Sequence, residues 1–233
     1  MSVTRLLSLL LAVLLTLGTA APAFSQTSPA AATPTPAATL KFGDKGTRVR
    51  QLQVRLRALG YWAGPVDGVF GTSTSQAVYA FQKAQYLKPT GVYNPTTRAK
   101  LKRPAAVSHR STSGLVVEIH KRRQILMVVR NGDIEWIFNT STGTEKPYTY
   151  KGRRYLADTP PGKWRITRQV NGWRNGELGR LYRPKYFHPD GIAVHGYASV
   201  PPYPASHGCA RVSMKAMDYL WNRLPIGTRV WVY

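Results

Sequence analysis

The chain has 233 residues, long enough for more than one folded unit, and carries 33 Lys and Arg against 10 Asp and Glu, a formal net charge of +23. Such a field attracts polyanions, but the basic residues are spread along the chain rather than gathered in one run, so nucleic acid is not the expected partner. One cysteine, Cys209, excludes an intrachain disulfide framework, and with scattered histidines it gives no zinc-ligand spacing, so neither metal nor cofactor is expected.

Residues 1–25 have the pattern of a signal peptide. Arg5 supplies a positive start, residues 6–17 are almost unbroken apolar, and Ala21-Pro22-Ala23 offers a cleavage site. The run is short of the ~20 residues a membrane-spanning helix needs. A cleaved signal is therefore expected, with an uncleaved anchor as the alternative, and contact with the membrane is transient. The destination is outside the cytoplasm, secreted to the cell wall or periplasm, where the polyanions are wall polymers and anionic lipid surfaces. Residues 26–38, rich in Ala, Pro, Thr and Ser, cannot bury enough apolar surface to fold and form a leader.

Residues 39–101 are expected to be helical. Val49, Leu52, Leu56 and Leu59 make one apolar stripe, ended by Gly60. After the turn-rich residues 64–71, Thr72 or Thr74 caps a second helix with Ala77, Val78 and Phe81 on its buried face; residues 96–101 give a short third. The polar, Pro-containing residues 102–113 read as a linker.

Residues 114–233 change to short β-branched runs. Strands are expected at 116–119, 125–129, 134–138, 163–167, 192–195 and 229–233, with Asn131-Gly132 as a hairpin turn. Ser213 caps a helix whose apolar face holds Met214, Met217, Leu220, Trp221 and Leu224, with Pro225 as its stop. Residues 142–161 and 171–189 are expected as long loops of the kind that wall a binding site. The fold class is α+β: a small three-helix domain, then a mostly-β domain with one or two helices.

Cys209 stands in Ser206-His207-Gly208-Cys209-Ala210-Arg211. Its sulfur is either a packed apolar group or a nucleophile, which must act as thiolate although an ordinary thiol is only a few per cent ionised near neutral pH. Two histidines could take the proton: His195, at the end of an apolar strand and before Gly196, and His207, two residues from the thiol. Gly208 permits a tight turn that aims amides at an oxyanion, and Arg211 favours a thiolate or grips a carboxylate. Tyr182, Tyr186, Tyr197 and Tyr203 either line the cleft or pack in the core, and His188 lies near the cleft.

Two resemblances follow. Leu52-Gln53, Leu59-Gly60-Tyr61, Asp67-Gly68, Phe70-Gly71, Thr74, Ala77-Val78, Phe81-Gln82, Gly91 and Thr97 match the pattern of the three-helix peptidoglycan-binding domain. His195-Gly196 followed by Ser206-His207-Gly208-Cys209-x-Arg211, with Thr159-Pro160-Pro161-Gly162 and Ser141-Thr142-Gly143 upstream, resembles the L,D-transpeptidase catalytic domain. The resemblance implies a cysteine acyltransferase acting on peptidoglycan stem peptides and glycan. Cys209 forms a thioester, His195 is the base oriented by the Gly196 carbonyl, His207, Gly208 and Cys209 amides form the oxyanion hole, and Ser206, Tyr197 and Arg211 contact substrate. It also implies reaction with carbapenem inhibitors. An L,D-carboxypeptidase on the same scaffold and a non-catalytic wall-binding protein are the alternatives.

Overall fold

Alternate residues of one strand face two different cores, and this sets the architecture. In a computed structural model describing residues 39–233, strand β2 (Ile125–Arg130) lies between β1 (Leu115–His120) and β3 (Asp133–Asn139). Leu126 and Val128 join a core with Val117, Ile119, Val230 and Val232. Ile125, Met127 and Val129 join a second core with Val49, Leu52, Leu56, Phe70 and Phe81. Side chains alternate along a strand, so a strand covered on both faces must be apolar throughout, as Ile125 to Val129 is. The hairpin between β2 and β3 turns on Asn131 (φ 51°) and Gly132 (φ 88°), with Arg130 paired to Asp133. The expected signal peptide and leader lie outside the described residues.

The second core belongs to α1 (Thr47–Ala58), α2 (Thr72–Ala84) and α3 (Pro95–Lys102). Asn94 caps α3 by accepting from the Thr97 amide, with Pro95 opening the helix. Neither Thr72 nor Thr74 caps α2: Gly71 occupies that position without a side-chain bond, and the Thr74 hydroxyl is engaged with Gln53. Two buried glutamines organise the turns before α2 and α3 in the same way. Gln53 accepts from Gly68 N and donates to Asp67, Val69 O and Thr74. Gln82 accepts from Gly91 N and donates to Thr90, Val92 O and Thr97. The segments Asp67-Gly68-Val69-Phe70 and Thr90-Gly91-Val92-Tyr93 are thus a structural repeat, with a left-handed glycine in each (φ 75° and 70°).

The helices are joined directly to the sheet. Ile137 N donates to Gly60 O at 2.7 Å and Trp62 N to Ile137 O at 3.1 Å. The buried Lys83 amine donates to the carbonyls of Gln124 and Thr140. Residues 102–113 are tied down as well: Gln85 exchanges two bonds with the Ala105 backbone, and the buried Glu118 accepts from the Arg110 and Ser111 amides.

The first sheet has the order β3-β2-β1-β12-β6, with β12 (Arg229–Val232) parallel to β1 and β6 being Gly162–Arg165. The second has the order β11-β10-β9-β7, with β8 also on β9: β7 is Arg168–Gln169, β8 Trp173–Gly176, β9 Gly179–Tyr186, β10 Ala193–Tyr197 and β11 Ala210–Ser213. Helix α4 (Met214–Trp221), capped by Ser213 as expected, buries Met217 and Leu220 between the sheets. It ends at Trp221, before the expected Pro225 stop, although Leu224 still packs in the core. The stretches expected as loops, 142–161 and 171–189, instead hold the hairpins β4–β5 (Pro147–Tyr150, Arg153–Leu156) and β8–β9. β5 and β8 are exposed throughout, β9 is buried only toward its C-terminal end, and β4 alternates exposed with half-buried residues over only four positions, too short a run to announce a strand.

Replacing Gln82 by Leu should strand the Gly91 amide and Val92 carbonyl and lower stability by about 2 kcal/mol or more, measured by urea unfolding. A variant as stable as wild type would refute the role given to this side chain.

Candidate active site

The parallel pairing of β10 with β11, Val194 opposite Ala210 and His195 opposite Arg211, brings the two sequence motifs together. Cys209 immediately precedes β11. Its Sγ accepts a hydrogen bond from the Ala193 amide at 3.4 Å. Ala193 and His195 both belong to β10, whose pairing with β9 is irregular between Val194 and Gly196. His195 and Cys209 line one cavity of about 610 Å³, whose walls include Tyr148, Tyr155 and Tyr197. Cys209 is partly exposed, and His195 is buried at 3%.

His195 Nδ1 lies 2.9 Å from the Gly196 carbonyl oxygen. A carbonyl can only accept, so the Nδ1 atom carries the proton and Nε2 is the basic nitrogen. Gly196 has no room for a side chain, since a Cβ there would sit 2.8 Å from Tyr182 Cδ1 and 3.0 Å from Met217 Cβ. Burial pulls the His195 pKa down from 6.5 to about 4, with Arg211 adding to the fall and the Gly196 bond opposing it. Burial also pushes the Cys209 thiol up, against the Ala193 amide and Arg211. Both shifts favour the uncharged forms, imidazole and thiol.

Cys209 is held by hydroxyls on both sides of its loop. Ser206 Oγ accepts from the Gly208 amide at 3.0 Å and donates to the Cys209 carbonyl at 2.6 Å. The buried Thr159 accepts from Gly143 N at 3.0 Å and donates to Gly208 O at 2.6 Å. Gly208 has φ 147°, and a Cβ there would lie 2.7 Å from Asp158 O. Thr142 O accepts the amides of Ala205 and Ser206. Thr159 was expected only as part of a matching segment; its hydroxyl turns out to brace the carbonyl next to the nucleophile.

The other expected residues are placed as follows. Ser206 and Gly208 line the same cavity as Cys209, and the Gly208 amide donates to the Ser206 hydroxyl within the turn. His207 is exposed and meets the ring of Tyr148 on the β4–β5 hairpin at 4.8 Å, edge to face. His188 packs edge-on against Trp164 at 4.5 Å and does not line the cavity. Arg211 donates to Ala205 O at 2.8 Å and lies over Tyr197 at 4.3 Å, while its buried Nε has no hydrogen-bond partner among the described residues. Arg168, Arg174 and Arg180 also line the cavity. The hairpin tips meet through an ion pair of Lys151 with Glu177 at 2.8 Å.

Because the folded state holds His195 near pKa 4 and the unfolded state near 6.5, the unfolded chain binds the extra proton between these values. Stability is complete above 6.5, falls as the pH drops and has lost this contribution near 4, by about 3 kcal/mol. Urea unfolding near pH 7 and near pH 4.5 should show a shallower pH dependence in His195→Gln than in wild type. Equal slopes would show that His195 is not held neutral.

Residues 114–232 match the family model of the L,D-transpeptidase catalytic domain, and residues 45–101 match that of the peptidoglycan binding domain. A crystal structure of the L,D-transpeptidase (residues 123–326) from Xylanimonas cellulosilytica is 45% identical, covers 86% of this chain and 100% of that one, and superposes with a TM-score of 0.81. An L,D-transpeptidase from Stackebrandtia nassauensis, 23% identical with coverage of 85% and 97% and a TM-score of 0.50, shares the fold. Among curated proteins, an uncharacterized protein in the bpoA1 3' region of Kitasatospora aureofaciens is 46% identical over 59 residues, 25% of this chain and 50% of that protein. The amidase CwlL of Bacillus licheniformis is 41% identical over 64 residues, 25% of this chain and 18% of its own length. The chain thus spans half or less of the curated relatives it matches. It belongs to the L,D-transpeptidase catalytic domain family, with a peptidoglycan binding domain ahead of the catalytic one.

Proposed function

We propose that this protein is an exported peptidoglycan L,D-transpeptidase that crosslinks stem peptides through a thioester on Cys209. The observation that carries the reading is the bond from His195 Nδ1 to Gly196 O, which leaves Nε2 as a base in the cavity that also holds the only cysteine. Export rests on residues 1–25, and wall localisation on that signal together with the helical module.

The neutral pair dictates the order of events. As Sγ attacks the carbonyl carbon of the L-centred bond in a stem tetrapeptide, its proton passes to His195 Nε2. The amides of His207 and Cys209 are the donors left for the oxyanion once Ser206 has taken that of Gly208. The tetrahedral intermediate collapses, His195 gives its proton to the departing D-alanine amine, and the thioester remains. The side-chain amine of a second stem then attacks, His195 takes the amine's proton, and the thiol is regenerated with a new amide bond. The arginines lining the cavity suit a substrate bearing carboxylates, and the Arg211 Nε supplies a donor that nothing else occupies.

Purified tetrapeptide stems incubated with the protein should give crosslinked dimers by mass spectrometry, whereas release of tripeptide alone would identify a carboxypeptidase. Cys209→Ala should abolish both dimer formation and the covalent carbapenem adduct, and His195→Gln should slow turnover by about 10²–10⁴-fold. Full activity in Cys209→Ala would end the proposal.

The acidic limb of kcat/KM should fall near pH 4, where buried His195 gains its proton. A limb near 6.5 would mean that the imidazole is solvated in the working enzyme.

A further inference from the structure

A second cavity, of about 540 Å³, opens where α2 meets the turn between β1 and β2 and the segment leading to Ser206. Its floor is Lys83, whose amine is consumed by the Gln124 and Thr140 carbonyls. Arg122, Arg123, Tyr86 and Tyr203 also line it, and no carboxylate does. Among the described residues neither arginine makes an ion pair with an acidic side chain. The two tyrosines are left in solvent, Tyr86 at 76% and Tyr203 at 62% exposed.

Tyr86 is the telling residue. It sits just beyond α2, where Leu87 N bonds back to Gln82 O, in the left-handed conformation (φ 58°) usually given to glycine at a helix end. A bulky residue in that conformation is strained, and strain of this kind gathers at functional sites. The strain buries no apolar surface here. The ring stays largely in solvent, with the Arg123 guanidinium 4.2 Å from its centroid and donating to the phenolic oxygen.

We infer that this cavity binds a carboxylate-bearing saccharide, with a sugar ring stacked on Tyr86 or Tyr203 and its acid group on Arg122 and Arg123. Guanidinium pairs grip carboxylates through parallel hydrogen bonds, and exposed aromatic faces take the apolar face of a sugar. The site is separate from the Cys209 cavity, but the wall they share is short. Gln124 exchanges hydrogen bonds with Thr142, whose carbonyl holds the Ala205 and Ser206 amides. The choice of ligand rests on the wall-polymer reading above; the binding chemistry does not.

The test uses fluorescently labelled soluble peptidoglycan strands, and the same strands with their carboxylates amidated, titrated against the intact protein. Arg122→Glu and Tyr86→Gly should each weaken binding of the native strands about tenfold, and amidation should weaken wild-type binding by a similar factor. Tyr86→Gly should not lower the Tm, since glycine relieves the strain, so its loss of binding cannot be put down to unfolding. Native affinity in both variants, or no effect of amidation, overturns the inference. Cys209→Ala should keep strand affinity while losing crosslinking. Crosslinking that persists with unchanged affinity in both cavity variants sinks the second site alone, whereas lost affinity in a protein that never crosslinks sinks the proposed reaction alone.

Discussion

When Val194 pairs with Ala210, the start of an interior strand is set beside the start of its parallel neighbour, and the amide of Ala193 reaches the sulfur of Cys209. The base, the nucleophile and the arginine that line the cavity all descend from that register. A slip of one residue would turn His195 to the opposite face of β10 and into the core with Val194. The glycines enforce the same geometry sterically. Gly196 lies against Tyr182 and Met217, and Gly208 against the Asp158 carbonyl, so neither loop nor strand can shift outward to admit a side chain.

The register is supported from behind by the doubly covered sheet. One face of β2 holds the core that carries α4 and, through it, β10 and β11; the other face is closed by the three helices. The helices are therefore more than a tethered module, because without them Ile125, Met127 and Val129 would lie in water. Burying these side chains is worth roughly 1.5–3 kcal/mol each, far more than the surface ion pairs of this basic chain can supply. Lys83 shows how tightly the junction is drawn. Its amine is desolvated enough to hold its pKa well below the usual lysine range, and two main-chain carbonyls at the junction receive its hydrogen bonds.

Much of this was legible in the residue pattern. The α1 stripe, the Asn131-Gly132 turn, the Ser213 cap and the helix it starts follow from local rules and are found where those rules put them. The His195-Gly196 and Cys209 motifs were visible because their chemistry is carried by rare residue types. What escaped was whatever depends on distant partners. Thr159 meets Gly208 across 49 positions of sequence, and a lone threonine carries no sign of which carbonyl it will find. Nor does a serine show in sequence that it will accept from the Gly208 amide and donate to the Cys209 carbonyl, as Ser206 does. The β4–β5 and β8–β9 hairpins were missed because β5 and β8 are exposed throughout and the alternation in β4 lasts only four residues.

The electrostatics of the site could not be read from composition either. Arg211 beside the nucleophile favours a thiolate, yet desolvation is the larger influence on both partners and favours the neutral form of each. Arg211 does not reverse this, since the charge that favours a thiolate equally disfavours the imidazolium beside it. Charge separation thus waits for a substrate whose carbonyl can accept the developing negative charge and pass it to fixed amides. A resting thiol in that state is a poor target for adventitious electrophiles, which suits a nucleophile proposed to work outside the cell and to react only once an acyl donor fills its cavity.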